Sequence, residues 1–457
     1  MQKFDLLVIG GGPGGCHAAS YASSKGLKTA LVEKKLVGGV CLNWGCIPTK
    51  SLLSSAKLLE RMEKSHDLNG EPFAIKPNWM GLLAKKNLIV ATLRKGMEAQ
   101  LERSGVERLN GCARFLSQNQ IEIESENDRQ IVESKYILIA TGSKPRPYHG
   151  IPFDSRSFLS SDDILGIDAP PAKLVIIGGG AVGVEFASLF HSLGSKVVIV
   201  EMTDRLLPGI DSDLGKRLEI SFRRRGIEVV THARVSGFAK SGASVLVQLD
   251  SGKSFQTDQV LISIGRMRNT DDLGLELAGI EKQGDSIKVS DYFETTAPNV
   301  FAIGDVTLLP QLAHVASFSA TCVIDQLVAP GNKKLFPKHA IPNCVFSDPQ
   351  VATVGWSAAE AEAKGISIHE ARVLLGSQGK SHVEGELEGF VKIVVQEDNR
   401  VVIGGHVMGG EASEMIGVLS LAVANQLTVD QVAQTIFPHP TYHELISDAA
   451  QEFLRKS

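Results

Sequence analysis

The apolar positions of the chain fall into two textures. Residues 4–9 (FDLLVI) make a nearly continuous apolar run that ends on GGGPGG, and CHAASYASSKG then continues with helical spacing into a second run, TALVEKK. This order predicts a βαβ unit. It recurs at 174–201, where LVIIGGGAVGVEFASLFHSLGSKVVIVE reads as strand, glycine turn, helix and strand. Further β-rich runs close on glycine in YILIATGS (136–143), VLISIGR (260–266) and VFAIGDV (300–306). From about residue 340 the texture changes to short alternating runs (VKIVV, VVIGGHV) and then helical stretches (SEMIGVLSLAVANQL, YHELISDAAQEFLRK), which predict an α+β region.

The two glycine turns can be compared position by position. Gly10, Gly12 and Gly15 form GxGxxG with Glu33 closing the next strand; Gly178, Gly180 and Gly183 do the same with Glu201, and the acid follows the first glycine by 23 positions in both. One glycine makes the tight turn, one admits a pyrophosphate to the backbone amides, and one lets helix and strand pack closely. An acid at that offset suits a ribose diol and repels a 2′-phosphate, so NAD is expected rather than NADP. The expected fold class is α/β, with two Rossmann-like dinucleotide-binding domains and a C-terminal α+β domain.

Length and charge limit the remaining choices. A chain of 457 residues with 43% hydrophobic content exceeds one ordinary core. A net charge of −4 with interspersed signs gives no field for nucleic acid or an anionic bilayer, and Arg223-Arg224-Arg225 is expected to be a solvated helix end. The opening MQKFDLLVIGGG is too short for a membrane span and carries no leader pattern, so a cytoplasmic location is expected.

Of six cysteines, Cys16, Cys112, Cys322 and Cys344 stand isolated and are expected to be buried or bystander thiols. Cys41 and Cys46 share GGVCLNWGCIPTK, a spacing that suits redox chemistry; no second Cys/His pair stands nearby, so no metal site is expected. Two dinucleotides and a thiol pair call for an intermediary between hydride and thiolate chemistry, and a flavin serves. In a regular helix residues five apart lie ~8 to 9 Å from each other, beyond disulfide reach, so LNWG should be irregular. Gly45 permits this, and Pro48 suits the first turn of a helix over PTKSLLSSAKLLERM, placing Cys46 near an N-terminus that stabilises a thiolate. Two unbonded helix-end cysteines are the alternative. The C-terminal FPHPTYHELISDAAQEF offers His439 as a base with Glu444 as its orienting carboxylate, and His443 competes for that carboxylate.

On these motifs the chain resembles the pyridine nucleotide-disulfide oxidoreductases along essentially its whole length, in the branch that oxidises dihydrolipoamide. The resemblance implies a Cys41–Cys46 redox disulfide, with Cys41 the interchange thiol and Cys46 the thiol facing the flavin. It implies that Lys50 lies beside the flavin and pairs with Glu185. FAD would be held by the first glycine motif, Glu33, Lys50, Ala113, Thr141, Gly142, Ser143, Asp305 and Ala313; NAD would be held by the second motif, Glu201 and Gly265. HPTYHE resembles the family's HPTLSE, which selects His439 and Glu444, each serving the neighbouring subunit of a homodimer.

The implied division is 1–147 for FAD, 148–267 for NAD, 268–339 completing the FAD side and 340–457 as the dimer interface. The implied reaction is oxidation of dihydrolipoamide on a lipoyl-bearing protein of a 2-oxo acid dehydrogenase or glycine cleavage complex, with reduction of NAD. The chain departs from the family after LAHVAS, where Phe318, Ser319 and Ala320 replace a Glu-Gly-like step. Four other readings fit less well, one of them a soluble transhydrogenase, which would lack the Cys41/Cys46 pair. A mercuric reductase would carry a C-terminal cysteine pair, an NADP-dependent disulfide reductase would lack an acid at Glu201, and a purely structural flavoprotein would not need both the cysteine and the His439/Glu444 sets.

Overall fold

The computed structural model describes residues 1–65, 75–126, 128–242, 244–331 and 333–456. The chain divides into two compact units, one of residues 1–52, 78–146 and 265–336, the other of residues 53–77, 147–264 and 337–457.

The first unit is built on the first predicted βαβ. Strand β1 (Gln2–Ile9), helix α1 (Pro13–Ser24) and strand β2 (Thr29–Glu33) are followed by two helices, α2 (Gly39–Asn43) and α3 (Cys46–Lys64), then α4 (Trp79–Arg103), β3 (Glu107–Asn110), β4 (Cys112–Phe115), β5 (Gln120–Glu124) and β6 (Arg129–Ile139). The sheet order is β3-β2-β1-β6-β5-β4, with a late strand, β7 (Val300–Ala302), beside β6. Strand β1 runs parallel to β2 and β6, with Leu7 opposite both Ala30 and Ile137. Its interior is apolar because both faces of a parallel sheet are covered: Leu6, Leu7 and Val8 are fully buried. Helix α7 (Ala313–Val328) packs on α1, where a Cβ on Gly14 would stand 3.0 Å from that of Ala316.

The second unit repeats the construction. Strands β9 (Lys173–Ile177) and β10 (Lys196–Val200) flank helix α5 (Ala181–Ser192), helix α6 (Ser212–Arg225) leads to β11 (Glu228–Val230), and β12 (Gln259–Ile262) and β8 (Phe158–Leu159) complete an all-parallel sheet of order β11-β10-β9-β12-β8. A three-stranded antiparallel meander, Val235–Ser241, Ser244–Leu249 and Ser254–Thr257, is inserted before β12. The C-terminal part of the unit is a five-stranded antiparallel sheet, with the strands Phe390–Gln396 and Val402–Met408 in its middle and the helices Ala412–Ala424 and Glu444–Lys456 packed on it. Its core includes Val391, Ile393, Val407, Leu419, Leu445 and Phe453.

The basic run at the end of α6 departs from expectation. Arg223 and Arg224 are exposed, but Arg225 is drawn in by acids: its guanidinium sits 2.5 Å from Glu60 Oε1 and 3.0 Å from Asp348 Oδ2. Glu60 is itself buried, which makes this pairing more consequential than a surface ion pair. Among the described residues no helix is long and apolar enough to cross a membrane, and no His/Cys/Asp/Glu group could hold a metal ion.

Candidate active site

The two glycine turns have the same geometry. Gly10 and Gly178 take φ of +107° and +106°, and a Cβ on either would lie 2.4 or 2.5 Å from a carbonyl of the neighbouring strand end, Ala140 or Ser263. At Gly15 and Gly183 a Cβ would come within 1.8 and 2.0 Å of the carbonyl of Gly10 and Gly178. The first and third glycines are thus dictated by internal packing. The middle ones, Gly12 and Gly180, would meet no atom within 4 Å, and each is the residue just before a helix N-terminus. This is the open cradle of amides that a pyrophosphate needs, so the residues present fit a dinucleotide in each turn.

The acids close both turns in the same way. Glu33 Oε2 accepts the Gly11 N–H at 2.7 Å and Oε1 that of Lys35 at 2.8 Å. Glu201 Oε2 accepts the Gly179 N–H at 2.6 Å, and Oε1 takes both the N–H and the hydroxyl of Thr203 at 2.8 Å. Each carboxylate therefore holds its own turn and retains lone pairs for a ribose diol.

The cysteine segment is fastened to the first turn. The Gly38 N–H donates to Gly11 O at 2.6 Å, and a Cβ on Gly39 would stand 2.7 Å from Gly12 Cα, so Gly39 is required for the close approach, while Gly38, at φ +92°, leaves room for the Leu42 side chain. Helix α2 carries Cys41 and stops at Asn43; Trp44 (φ −138°, ψ 11°) and Gly45 break the path, and α3 restarts at Cys46. The break brings the two sulfurs together. Both are thiols, half-buried, and the Cys41 side chain is hydrogen-bonded to Cys46. That hydrogen bond, and then burial, push the Cys41 thiol far up, while the Lys50 charge pulls it down. Lys50 lies four residues after Cys46, one turn along α3.

Cys16 follows the same glycine turn but is of another kind. Its Sγ donates to Gly11 O at 3.0 Å, and burial pushes its thiol up to about 11, leaving it a packing residue. Cys112 is exposed, and Cys322 and Cys344 are half-buried.

Three separate segments of the first unit meet around Ser143. Its hydroxyl donates to Asp305 Oδ2 at 2.5 Å and accepts from Arg266 Nε at 2.7 Å, while Arg266 Nη2 reaches the Ser143 carbonyl at 3.0 Å. Thr141 Oγ1 donates to Asn269 O at 2.7 Å, and Asn269 Nδ2 returns a bond to Thr141 O at 2.9 Å. Gly142 (φ +71°) leaves its Cβ direction open. Arg266 and Asn269 are residues the sequence reading missed; the only signal for them is that they follow the glycine-closed run ending at Gly265. Gly265 itself lies in the first unit, where its carbonyl accepts the Arg146 N–H at 3.1 Å. Ala113 turns its methyl into the hydrophobic core, so only its backbone is open to a ligand. Ala313 opens helix α7.

In the second unit Glu185 is buried on α5, with Oε1 accepting the Phe346 N–H at 2.9 Å. The two C-terminal histidines separate cleanly. His439 Nδ1 lies 2.9 Å from Glu444 Oε2, and the imidazole is 74% exposed, whereas His443 lies face to face with Phe437 at 6.4 Å. Glu444 Oε1 accepts the Thr441 N–H at 2.7 Å; that amide first, and His439 second, hold the carboxyl below its ordinary range.

Comparison with known proteins agrees with this geometry. Residues 4–320 match the family model described as pyridine nucleotide-disulphide oxidoreductase, and residues 341–450 match the dimerisation domain of the same family. The chain is 36% identical to the dihydrolipoyl dehydrogenase of Chlamydia trachomatis over 98% of its own length and 96% of the relative's, and 34% identical to one from Bacillus subtilis over 98% and 97%. Among solved structures it resembles LpdA from Mycobacterium tuberculosis (TM-score 0.91, 28% identity, 99% and 100% of the two chains covered). It also resembles RclA, an HOCl-induced flavoprotein disulfide reductase from Escherichia coli (TM-score 0.87, 26% identity, 98% and 99% covered). The chain belongs to the pyridine nucleotide-disulphide oxidoreductases and is a flavoprotein enzyme that uses FAD and a pyridine nucleotide.

Proposed function

We propose that this enzyme oxidises protein-bound dihydrolipoamide to lipoamide and reduces NAD to NADH. The observation that supports it most is the pair of hydrogen-bonded thiols of Cys41 and Cys46 at the break between α2 and α3, fastened to a dinucleotide turn.

The cycle starts from the Cys41–Cys46 disulfide. A dihydrolipoamide thiol, deprotonated by the partner subunit's His439, attacks Cys41 Sγ; the S–S bond breaks, Cys46 leaves as a thiolate and a mixed disulfide forms on Cys41. The second substrate thiol then attacks the substrate sulfur of that mixed disulfide and its proton passes to the departing Cys41 sulfur, so lipoamide is released and Cys41 returns as a thiol. Cys46 carries the charge because it opens α3, whose N-terminal amides favour an anion, and because the Cys41 thiol so formed is hydrogen-bonded to it. Glu444 fixes the imidazole's orientation through Nδ1, which leaves Nε2 for the substrate proton. FAD, when bound, carries the electron pair from the thiols to the nicotinamide.

Gly10, Gly12, Gly15, Glu33, Lys50, Ala113, Thr141, Gly142, Ser143, Asp305 and Ala313 would hold FAD; Gly178, Gly180, Gly183, Glu201 and Gly265 would hold NAD, with Glu185 as the carboxylate partner of Lys50. Residues 1–147 and 268–339 would serve FAD, 148–267 NAD, and 340–457 a homodimer interface. The partner is a lipoyl-bearing subunit of an acyl-transfer or glycine-cleaving complex, in the cytoplasm.

The test is anaerobic reduction of the holoenzyme with dihydrolipoamide, following the long-wavelength absorbance of a thiolate beside flavin and then NADH on addition of NAD. Both signals are expected, and both are expected to be missing in Cys46→Ser. If dihydrolipoamide leaves the flavin oxidised while NADPH or another disulfide reacts, the substrate reading fails.

A further inference from the structure

The turn after β10, Glu201-Met202-Thr203-Asp204-Arg205-Leu206-Leu207-Pro208, contains one cation, Arg205. An arginine near this acid is the usual means of receiving a 2′-phosphate, so its presence beside an NAD-type glutamate calls for an explanation. The structure supplies one. Arg205 Nη1 lies 2.8 Å from Asp204 Oδ1 and 3.1 Å from Oδ2, and Nη2 reaches the Pro208 carbonyl at 3.4 Å. Its stem runs past Gly215 of α6, where an added Cβ would stand 3.4 Å from Arg205 Cδ. The arginine side chain is 23% exposed and its Nε is buried without an acceptor among the described residues, while Asp204 is 48% exposed. The backbone is tied into the same arrangement: the Thr203 hydroxyl, which bonds to Glu201 Oε1 at 2.8 Å, also lies 3.1 Å from the Arg205 carbonyl.

We infer that Asp204 is a second specificity determinant for the nucleotide: it clamps Arg205 inside the turn, so that the turn offers a 2′-phosphate no free guanidinium. Glu201 accepts the diol, and Asp204 withholds the only local cation that would reward its phosphorylated counterpart. Discrimination against NADP then has two parts, repulsion by carboxylate and sequestration of the arginine. The inference rests on the NAD reading proposed above.

The experiment compares holoenzymes of the parent, Asp204→Asn and Asp204→Asn/Arg205→Gln. Two readouts are used: binding of adenosine 2′,5′-bisphosphate against 5′-AMP, which needs no chemistry, and kcat/KM with NADP against NAD. Freed from its clamp, Arg205 should raise the preference for the 2′-phosphorylated ligand by roughly tenfold in Asp204→Asn, the scale of one hydrogen bond to a charged group. The double variant should lose that gain. If Asp204→Asn leaves the preference unchanged, or the gain survives in the double variant so that removed repulsion explains it, the clamp is overturned. If the parent itself prefers the 2′-phosphorylated ligand, the NAD reading fails instead, and it fails visibly in the unmutated enzyme.

Discussion

His439 Nδ1 and Glu444 Oε2 stand 2.9 Å apart, and the other oxygen of the same carboxylate is held by the Thr441 amide. A base so oriented should lose most of its effect when either member is removed. His439→Ala is expected to lower kcat with dihydrolipoamide by about 10²- to 10⁴-fold, the range of general base catalysis, and Glu444→Gln by less, because the imidazole itself remains. Flavin content should be unchanged in both. Because the Glu444 carboxyl lies below its ordinary range, what this pairing contributes is present above the free carboxylate's pKa and is lost only as pH falls through the lower folded value. A kcat–pH profile should therefore show no loss assignable to Glu444 at pH 5 or above, about where ordinary glutamates are already mostly ionised.

Lys50 should act on the thiols through charge. It pulls the Cys41 thiol down against its hydrogen bond to Cys46 and its burial, so Lys50→Met should raise that thiol further. The expected outcome is a pH–rate profile for lipoamide reduction by NADH, the direction in which Cys41 attacks as a thiolate, displaced to higher pH with about a tenfold lower rate near neutrality, the size of one pKa unit. Stopped-flow reduction across pH would measure it, and an unmoved profile would contradict the assignment.

The glycines of each turn should separate into two phenotypes. Gly15→Ala drives a methyl into the Gly10 carbonyl and should lower folding stability by about 1–3 kcal/mol or more, as overpacking does, in flavin-free protein as well. Gly12→Ala meets nothing in the chain, so flavin-free stability should hold while FAD affinity falls. Thermal unfolding with and without FAD, alongside flavin content, distinguishes these outcomes. In the second turn, Gly183→Ala and Gly180→Ala should divide in the same way, with KM for NAD as the readout.

Lys392 is a buried ion of the second unit that depends on its partners. Only 4% exposed, it meets Asp211 at 2.8 Å and Asp213 and Glu370 at 3.0 Å. Burial alone would lower its pKa, but the three carboxylates outweigh it and the ammonium is held above its usual range. Its contribution is therefore full below the ordinary lysine pKa and is lost as pH rises beyond the raised value. Lys392→Met strands the acids and should cost about 3–5 kcal/mol, read as a lower urea midpoint.

Much of this architecture is legible in the chain because it depends on local pattern. Glycine turns after apolar runs, the equal acidic offsets and the helix break at Trp44-Gly45 each follow from a few neighbouring residues. What could not be read is what distant segments do to one another. Asp305 and the choice of His439 over His443 come only from the family resemblance, and nothing in the sequence near Ser143 announces Arg266 or sends His443 to Phe437. Arg225 misled for the same reason: three consecutive arginines look solvated until Glu60, 165 positions earlier, is folded against the last of them.

The strand-end glutamates have a further consequence. With one oxygen already committed to the Gly11 or Gly179 amide, each turn keeps its shape before any nucleotide arrives. Little ordering entropy is then left to be lost on association, and affinity is set by the contacts themselves. For a tightly held prosthetic group this favours retention. For a co-substrate that must enter and leave in every cycle it favours fast exchange, because this turn need not order around it or disorder to release it.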